Sequence, residues 1–232
     1  MYTITENLIS GSVTGRTFVR IKIPTFKDVR LLLTGEDGLN TAKNSFVQNC
    51  IDLDVDTLLA GDRDYLFLLL TSLARTDEAE KYIECSGCGK RITFSANPAS
   101  FEIKSLGDLP SVPMFKLPVS GETVSYQHLS VSLEREMLSE EEHPLREIAV
   151  RLDREGMSYR DKIEWLSELT VADLQLFNKF NSMFYCGVLE ERTITCECGK
   201  RYMVKVELDS SLLGYDANSM LMRYYNLSKG LS

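Results

Sequence analysis

The chain has 232 residues, of which 44% are hydrophobic and 26% are charged, so it is long enough to bury an ordinary core without disulfides. Its formal net charge of −8 argues against a general nucleic-acid binder, because such proteins place many lysines and arginines against phosphates. No apolar run approaches the roughly 18 residues of a membrane span, and no basic leader followed by an apolar segment opens the chain. We therefore expect a protein that folds in the cytosol and binds other proteins, without a small-molecule substrate.

The sequence of the first part of the chain predicts a strand, helices and a hairpin, in that order. An extended segment at 17–26 leads into the leucines at 31–33, and a first helical region is predicted at 41–50. A second helix at 62–74 carries apolar residues at helical spacing. The β-rich residues that follow flank Cys85 and Cys88. These two cysteines are therefore predicted to lie at the tip of a hairpin.

Prolines mark a connection near the middle of the chain, because residues 96–120 contain four of them. The predicted organisation is a first half, a linker, a second half and a C-terminal tail, with bounds 1–104, 105–120, 121–211 and 212–232. The methionines, leucines and tyrosines of the tail predict a short amphipathic helix that docks on this chain or on a neighbour.

The sequence of the second part predicts three further helices, followed by a second cysteine hairpin. A helix that begins near Pro144 is expected to end at Gly156. Ser158 and Thr170 are predicted to cap the next two helices, because a hydroxyl at that position accepts hydrogen bonds from free backbone N–H groups.

The two parts of the chain are similar to each other. The segment 85–91, Cys-Ser-Gly-Cys-Gly-Lys-Arg, returns at 196–201 as Cys-Glu-Cys-Gly-Lys-Arg. When the two parts are aligned on these segments, Asp62 aligns with Asp173 at the start of a predicted helix. The extended segments of the two parts, further upstream, align as well. Because these matches occur in the same order in both parts, a duplication within the chain is the favoured explanation. We predict an α+β fold of two repeated halves, each with an extended strand segment, helices and a cysteine-tipped β-hairpin, joined by a shared metal site.

Cys85, Cys88, Cys196 and Cys198 are the candidate ligands of that metal. Two cysteine pairs supply the four thiolates that a structural zinc site prefers. The glycine after each second cysteine allows a sharp turn, and the lysine and arginine that follow can offset the negative charge of the site. Zinc is the leading prediction, and an iron–sulfur cluster, a disulfide or redox motif, and free thiols are the alternatives.

The other cysteines and the histidines give little support for catalysis. Cys50 and Cys186 lie in apolar stretches and are expected to be small buried hydrophobes. His128 and His143 have no partner motif, and the acidic run at 140–142 lacks the pattern of an oxygen-ligand loop. The sequence has no Gly-rich phosphate loop and no nucleophile elbow. We therefore expect a protein that is not an enzyme.

A family resemblance rests on two segments, 58–70, Leu-Leu-Ala-Gly-Asp-Arg-Asp-Tyr-Leu-Phe-Leu-Leu-Leu, and 82–89, Tyr-Ile-Glu-Cys-Ser-Gly-Cys-Gly. Here, and in Pro-Thr-Phe-Lys-Asp at 24–28, the chain resembles the baseplate hub proteins of T-even-like contractile-tailed bacteriophages. The resemblance covers residues 17–95. The shorter Cys-Glu-Cys of the second half departs from the family's knuckle.

This resemblance implies a structural part of the tail baseplate hub, which is assembled in the host cytoplasm and binds other hub and tail proteins in the virion. The alternative is a zinc-ribbon-type module of a nucleic-acid-processing or regulatory complex, in which Lys90, Arg91, Lys200 and Arg201 bind phosphates. A single solvent-facing basic patch would favour the alternative. Contacts of these side chains with the thiolates or with acidic residues would count against it.

Overall fold

The computed structural model of the chain describes residues 3–34, 39–74, 80–95, 100–106, 112–206, 208 and 212. Within them the chain forms helices and small antiparallel sheets, which confirms the predicted α+β class. No helix in this part of the chain is long and apolar enough to cross a membrane. The helix predicted for the tail lies, apart from Leu212, outside the described residues.

The first part of the chain has two antiparallel hairpins with three helices between them. Its elements are β1 (Thr3–Asn7), β2 (Phe18–Lys22), α1 (Phe26–Thr34), α2 (Leu39–Cys50), α3 (Ala60–Leu73), β3 (Glu80–Glu84) and β4 (Arg91–Ser95). Strand β1 pairs with β2, and β3 pairs with β4. The helices predicted at 41–50 and 62–74 are therefore present as α2 and α3.

Helix α3 lies at the centre of the core of this first part. Its side chains Leu66, Phe67 and Leu70 are fully buried. The ring of Phe67 meets that of Phe46 on α2 edge to face, with centroids 5.9 Å apart, and Ile21 of β2 belongs to the same cluster. Burial of each such side chain stabilises the fold by about 1.5–3 kcal/mol, so α3 holds the first hairpin and α2 in place.

The second part of the chain follows a short strand, β5 (Glu102–Lys104). Its elements are β6 (Met114–Lys116), β7 (Thr123–Tyr126), α4 (Val131–Ser139), α5 (Arg146–Arg151), β8 (Leu152–Asp153), α6 (Tyr159–Glu168), α7 (Val171–Met183), β9 (Gly187–Leu189), β10 (Glu191–Thr195) and β11 (Arg201–Lys205). Strand β10 pairs with β11, and β5 pairs with β9.

The segment predicted as a linker, 105–120, contains strand β6. This strand pairs with β7, and β7 pairs in turn with β8. Phe115 of β6 is buried and stacks on the ring of Phe180, with centroids 3.9 Å apart. The end of this segment is therefore part of the second core.

The helix that was expected to reach Gly156 ends at Arg151, so this prediction is wrong. Leu152 has extended backbone angles and pairs with Tyr126 of β7. Both side chains are buried, so pairing with the sheet and packing in the core outweigh continuation of the helix. Gly156 lies beyond this strand, where its φ of +78° suits a residue without a side chain.

Both predicted helix caps are confirmed. Ser158 caps α6, where its hydroxyl accepts a hydrogen bond from the backbone N–H of Asp161 and the Asp161 carboxylate accepts one from the backbone N–H of Ser158. Thr170 caps α7 and accepts from the backbone N–H of Asp173 at 3.2 Å. Caps of this kind stabilise a helix by about 1 kcal/mol.

Asp62 and Asp173 occupy the same position in their helices, the third residue of α3 and of α7. Both are buried. Asp62 accepts a hydrogen bond from the backbone N–H of Ser10 at 3.0 Å, and Asp173 accepts one from that of Val119 at 2.9 Å. Each aspartate therefore ties the start of its helix to the loop of the preceding hairpin, where the helix dipole favours a carboxylate.

A buried arginine connects the two parts of the chain. Arg63 of α3 forms ion pairs with Asp64 of its own helix and with Glu134 of α4, and it also donates a hydrogen bond to Asn44 of α2. Burial of its guanidinium is compatible with its charge because two carboxylates surround it. This ion pair, together with the packing of β9 against α3, places the second part directly against α3.

Candidate metal centre

The four candidate cysteines lie in the tight loops of two hairpins. The pair Glu84 and Arg91 closes the first loop, and the pair Thr195 and Arg201 closes the second. In the first loop the backbone N–H of Cys85 donates to the carbonyl of Lys90 at 2.8 Å. The corresponding bond in the second loop, from the N–H of Cys196 to the carbonyl of Lys200, measures 2.9 Å. The local turn geometry therefore presents the cysteines at the two tips.

A glycine follows the second cysteine of each loop, as the turn requires. Gly89 has a φ of +71° and Gly199 a φ of +85°. Both lie in the left-handed region, which costs an ordinary L residue about 1–2 kcal/mol. Their N–H groups donate back to the carbonyls of Cys85 and Cys196 at 2.7 and 2.8 Å, so each glycine folds the backbone under its pair of sulfurs.

The structure brings the four sulfurs together. All of them lie within 4.8 Å of one another, and the shortest separations are 3.5 Å between Cys85 and Cys198 and 3.6 Å between Cys88 and Cys196. Tetrahedral zinc with bonds of about 2.3 Å places its sulfurs about 3.8 Å apart. None of the described cysteines forms a disulfide. The arrangement is therefore compatible with one tetrahedral metal ion held by both hairpins.

The two cysteines of each loop differ in exposure. Cys85 and Cys196 are buried, whereas Cys88 and Cys198 face solvent. Each loop thus offers one inner and one outer sulfur, and a metal ion between them would have a solvent-facing side.

The electrostatic surroundings of the sulfurs are uneven. The Tyr202 hydroxyl donates a hydrogen bond to the Cys85 sulfur at 3.1 Å and holds the pKa of that thiol at about 5, with help from the N–H of Gly87. The N–H of Cys198 lowers the pKa of Cys196, but desolvation and hydrogen bonds with the other cysteines outweigh it and raise that pKa to about 12. A bound cation would relieve this asymmetry, because a thiol that coordinates a metal is deprotonated.

Tyr202 supports the site from outside the ligand set, a role that the sequence analysis missed. Its oxygen also accepts a hydrogen bond from the backbone N–H of Ser86 at 2.9 Å. It therefore fixes the first loop from the opposite hairpin. The only sequence signal for this role is its position just after the second knuckle, on the same face of β11 as Val204.

We expect Tyr202→Phe to weaken the binding of added Zn²⁺ by about tenfold, because it removes a hydrogen bond that orients the Cys85 sulfur and favours its thiolate form. The fold should persist, since the ring is retained. Competition with a chromophoric chelator at neutral pH measures the affinity. Tyr82→Phe is the matched control, because Tyr82 lies exposed in the middle of strand β3 of the first hairpin. Equal affinities of the two variants would contradict the role of the Tyr202 hydroxyl.

Two lysines link the hairpins across the site. Lys90 of the first loop forms an ion pair with Glu197 of the second at 2.7 Å. Lys200 of the second loop donates to the hydroxyl of Ser86 in the first, also at 2.7 Å. The two contacts correspond to each other, because each lysine follows a loop glycine and each partner follows an inner cysteine.

Neither of the arginines next to these lysines bonds across the site within the described part of the chain. Arg91 stacks over the ring of Tyr82, with its guanidinium carbon 3.9 Å from the ring centroid. Arg201 is exposed. Because Lys90 meets the acidic Glu197 across the site, the arrangement counts against the phosphate-binding alternative.

A second contact docks the hairpins at the end away from the sulfurs. Arg192 of β10 donates to the carbonyl of Ser95 at 2.7 Å and to the hydroxyl of Ser100 at 3.2 Å. Its guanidinium carbon lies 4.4 Å from the ring centroid of Phe101. Burial lowers the pKa of Arg192. The strands themselves make little further contact between the hairpins, so the loops and Arg192 carry most of the docking.

The remaining candidate residues lie apart from the sulfurs. Cys50 and Cys186 are buried as predicted, and burial raises the pKa of each thiol to about 12. His128 packs against the ring of Phe184, with centroids 5.6 Å apart, and His143 accepts a hydrogen bond from a backbone N–H. Within the described ranges, no other group of three or more His, Cys, Asp or Glu converges as a metal site.

Comparison with known proteins identifies the family. Residues 1–213 match the family model described as T4 bacteriophage base plate protein. No curated protein and no solved structure matches the chain. The family match includes both cysteine hairpins and all the residues between them. The chain therefore belongs to the T4 bacteriophage base plate protein family and is a structural component of the phage tail baseplate.

Proposed function

We propose that this protein is a non-enzymatic component of the baseplate hub, in which one zinc ion held by Cys85, Cys88, Cys196 and Cys198 clamps the two halves together. The observation that carries the proposal is the convergence of four sulfurs from loops 108–113 residues apart in the sequence. Four thiolates fill a tetrahedral coordination shell and leave no position for a catalytic water.

A single ion fits this site better than an iron–sulfur cluster. In a cluster, several iron atoms and sulfides lie between the cysteine sulfurs and spread them apart. Here all four sulfurs lie within 4.8 Å of one another. Among single ions, zinc is the one that four thiolates most often hold in a structural role.

We also infer that the two halves are repeats that face each other across the metal. Each has a hairpin, helices with a buried aspartate at the third position of the last one, and a cysteine hairpin. Exchange of the two loops turns the Cys85–Cys198 contact into Cys196–Cys88, and the Lys90–Glu197 contact into Lys200–Ser86. These reciprocal pairs are what a pseudo-twofold axis through the metal would produce.

The hub position and the partners are inferred from the resemblance of 58–70 and 82–89 to hub proteins. Other hub and tail proteins are the proposed neighbours, and assembly in the host cytoplasm is the proposed route into the virion. A large acidic chain with a net charge of −8 suits contacts with basic surfaces of such neighbours.

Metal analysis and complementation test this proposal together. The purified chain should contain about one zinc ion and no acid-labile sulfide. In cells infected by a phage that lacks the gene for this protein, the wild-type chain should be incorporated into the baseplates, whereas the Cys88→Ser variant should not. Cys50→Ala is the control, because it leaves the four-cysteine cluster intact. A chain without metal that still assembles would overturn the clamp. Incorporation outside the central hub would overturn the hub position.

A further inference from the structure

A groove lies beside the second cysteine hairpin, between strands β5 and β9 on one side and β10 and β11 on the other. Its volume is about 680 Å³, and it is open to solvent. This space accommodates several residues of extended chain rather than a fully enclosed small molecule.

The surface of the groove combines apolar side chains with unpaired strand edges. Met203 of β11 is 74% exposed and Tyr185 is 45% exposed, and Leu189 of β9 also lines the groove. Strands β5 and β9 form a sheet of only two strands, so each has an edge without a strand partner among the described residues. Exposed edges beside apolar pockets are the surfaces to which proteins add an extended segment of a partner.

The groove is lined by three acidic residues, Glu102, Glu190 and Glu191, and two basic ones, Arg192 and Lys205. Glu102 and Glu191 are exposed, and neither forms an ion pair within the described part of the chain. Lys205 is already paired with Glu190 at 3.4 Å, and Arg192 is bonded to Ser95. One carboxylate is therefore in excess, and the fully exposed charges without an ion pair are those of Glu102 and Glu191, which attract a cationic partner.

We propose that this groove docks an extended, basic segment of a neighbouring baseplate protein. The segment pairs with a free strand edge, places an apolar side chain against Met203 and presents cations to Glu102 and Glu191. The location of the site follows from the groove itself, whereas the identity of the occupant as a baseplate protein rests on the proposed function.

Two peptides of opposite charge test the groove on the zinc-loaded full chain. One alternates lysine with valine and the other alternates glutamate with valine, so they share strand propensity and differ in charge. The lysine peptide should bind and shift the amide NMR signals of β9 and β11, and the glutamate peptide should not. Glu191→Lys should weaken binding of the lysine peptide by about tenfold, and Met203→Ser should also weaken it.

Glu142→Lys and Met183→Ser are the matched controls, because both residues are exposed outside the groove. Both controls should retain the wild-type affinity. Equal binding of the two peptides, signal shifts away from the groove, or equal losses in the controls would each overturn the proposal. If the chain binds the peptide but is never incorporated into baseplates, the groove is a peptide-binding site and only the baseplate identity of its partner is refuted. Failure of the groove and failure of the proposed function are therefore distinguishable.

Discussion

Replacement of Cys198 with serine is expected to abolish tight metal binding and to lower the free energy of unfolding by about 3 kcal/mol or more. Structural zinc binds with an apparent free energy of about 10–16 kcal/mol at neutral pH, and much of it becomes folding free energy. Because the ligands come from two hairpins whose other contacts are a few polar ones, from Lys90, Lys200, Tyr202 and Arg192, loss of one sulfur should also weaken their mutual docking.

Thermal unfolding with and without a chelator measures this effect. The midpoint of the variant should fall by about 6–12 °C, since about 2–4 °C per kcal/mol is typical for chains of this size. Chelator should lower the midpoint of the wild-type chain and leave that of the variant unchanged. Cys50→Ala serves as the control, because it changes a buried cysteine outside the cluster and should keep the chelator response. A variant that melts like the wild type would refute the structural role of the metal.

Gly61→Ala is expected to destabilise the fold by about 3 kcal/mol or more, although alanine favours helices over glycine by about 1 kcal/mol. A Cβ atom at position 61 would lie 2.0 Å from the carbonyl oxygen of Cys186 and 2.6 Å from its carbonyl carbon. Both are backbone atoms, so no side chain can move aside. Helix α3 would have to shift away from the segment that leads into β9.

Gly156→Ala is the control for this substitution, because nothing lies within 4 Å of a Cβ atom there and only its φ of +78° resists the change. That variant should lose about 1–2 kcal/mol. Denaturant unfolding of the two variants measures the difference. If Gly61→Ala is no less stable than Gly156→Ala, the close approach of α3 and Cys186 does not limit the fold.

The sequence by itself determined the features that depend on neighbouring residues. The spacing of Cys85 and Cys88 and the glycine that follows them specify a tight loop, because only a residue without a Cβ enters the left-handed region at little cost. Ser158 and Thr170 specify helix starts, because a hydroxyl reaches the free N–H groups of the next turn. The position of α3 followed from the spacing of its apolar residues alone.

The local signals were insufficient where sheet pairing competed with them. The residues before Gly156 have a helical pattern, yet Leu152 leaves the helix to pair with Tyr126. The proline-rich segment at 105–120 has the composition of a linker, yet β6 within it pairs with β7. Strand pairing depends on a partner elsewhere in the chain, so the composition of the segment itself does not reveal it.

Only the tertiary structure decided which distant side chains meet. The Tyr202 hydroxyl lies against the sulfur of Cys85 from 117 residues away, and Lys90 meets Glu197 from 107 residues away. Arg63 is buried because Glu134 of the other half neutralises it. Such pairs leave no periodic pattern in the sequence, since their distance along the chain is set by how the two halves pack rather than by the geometry of any one helix or strand.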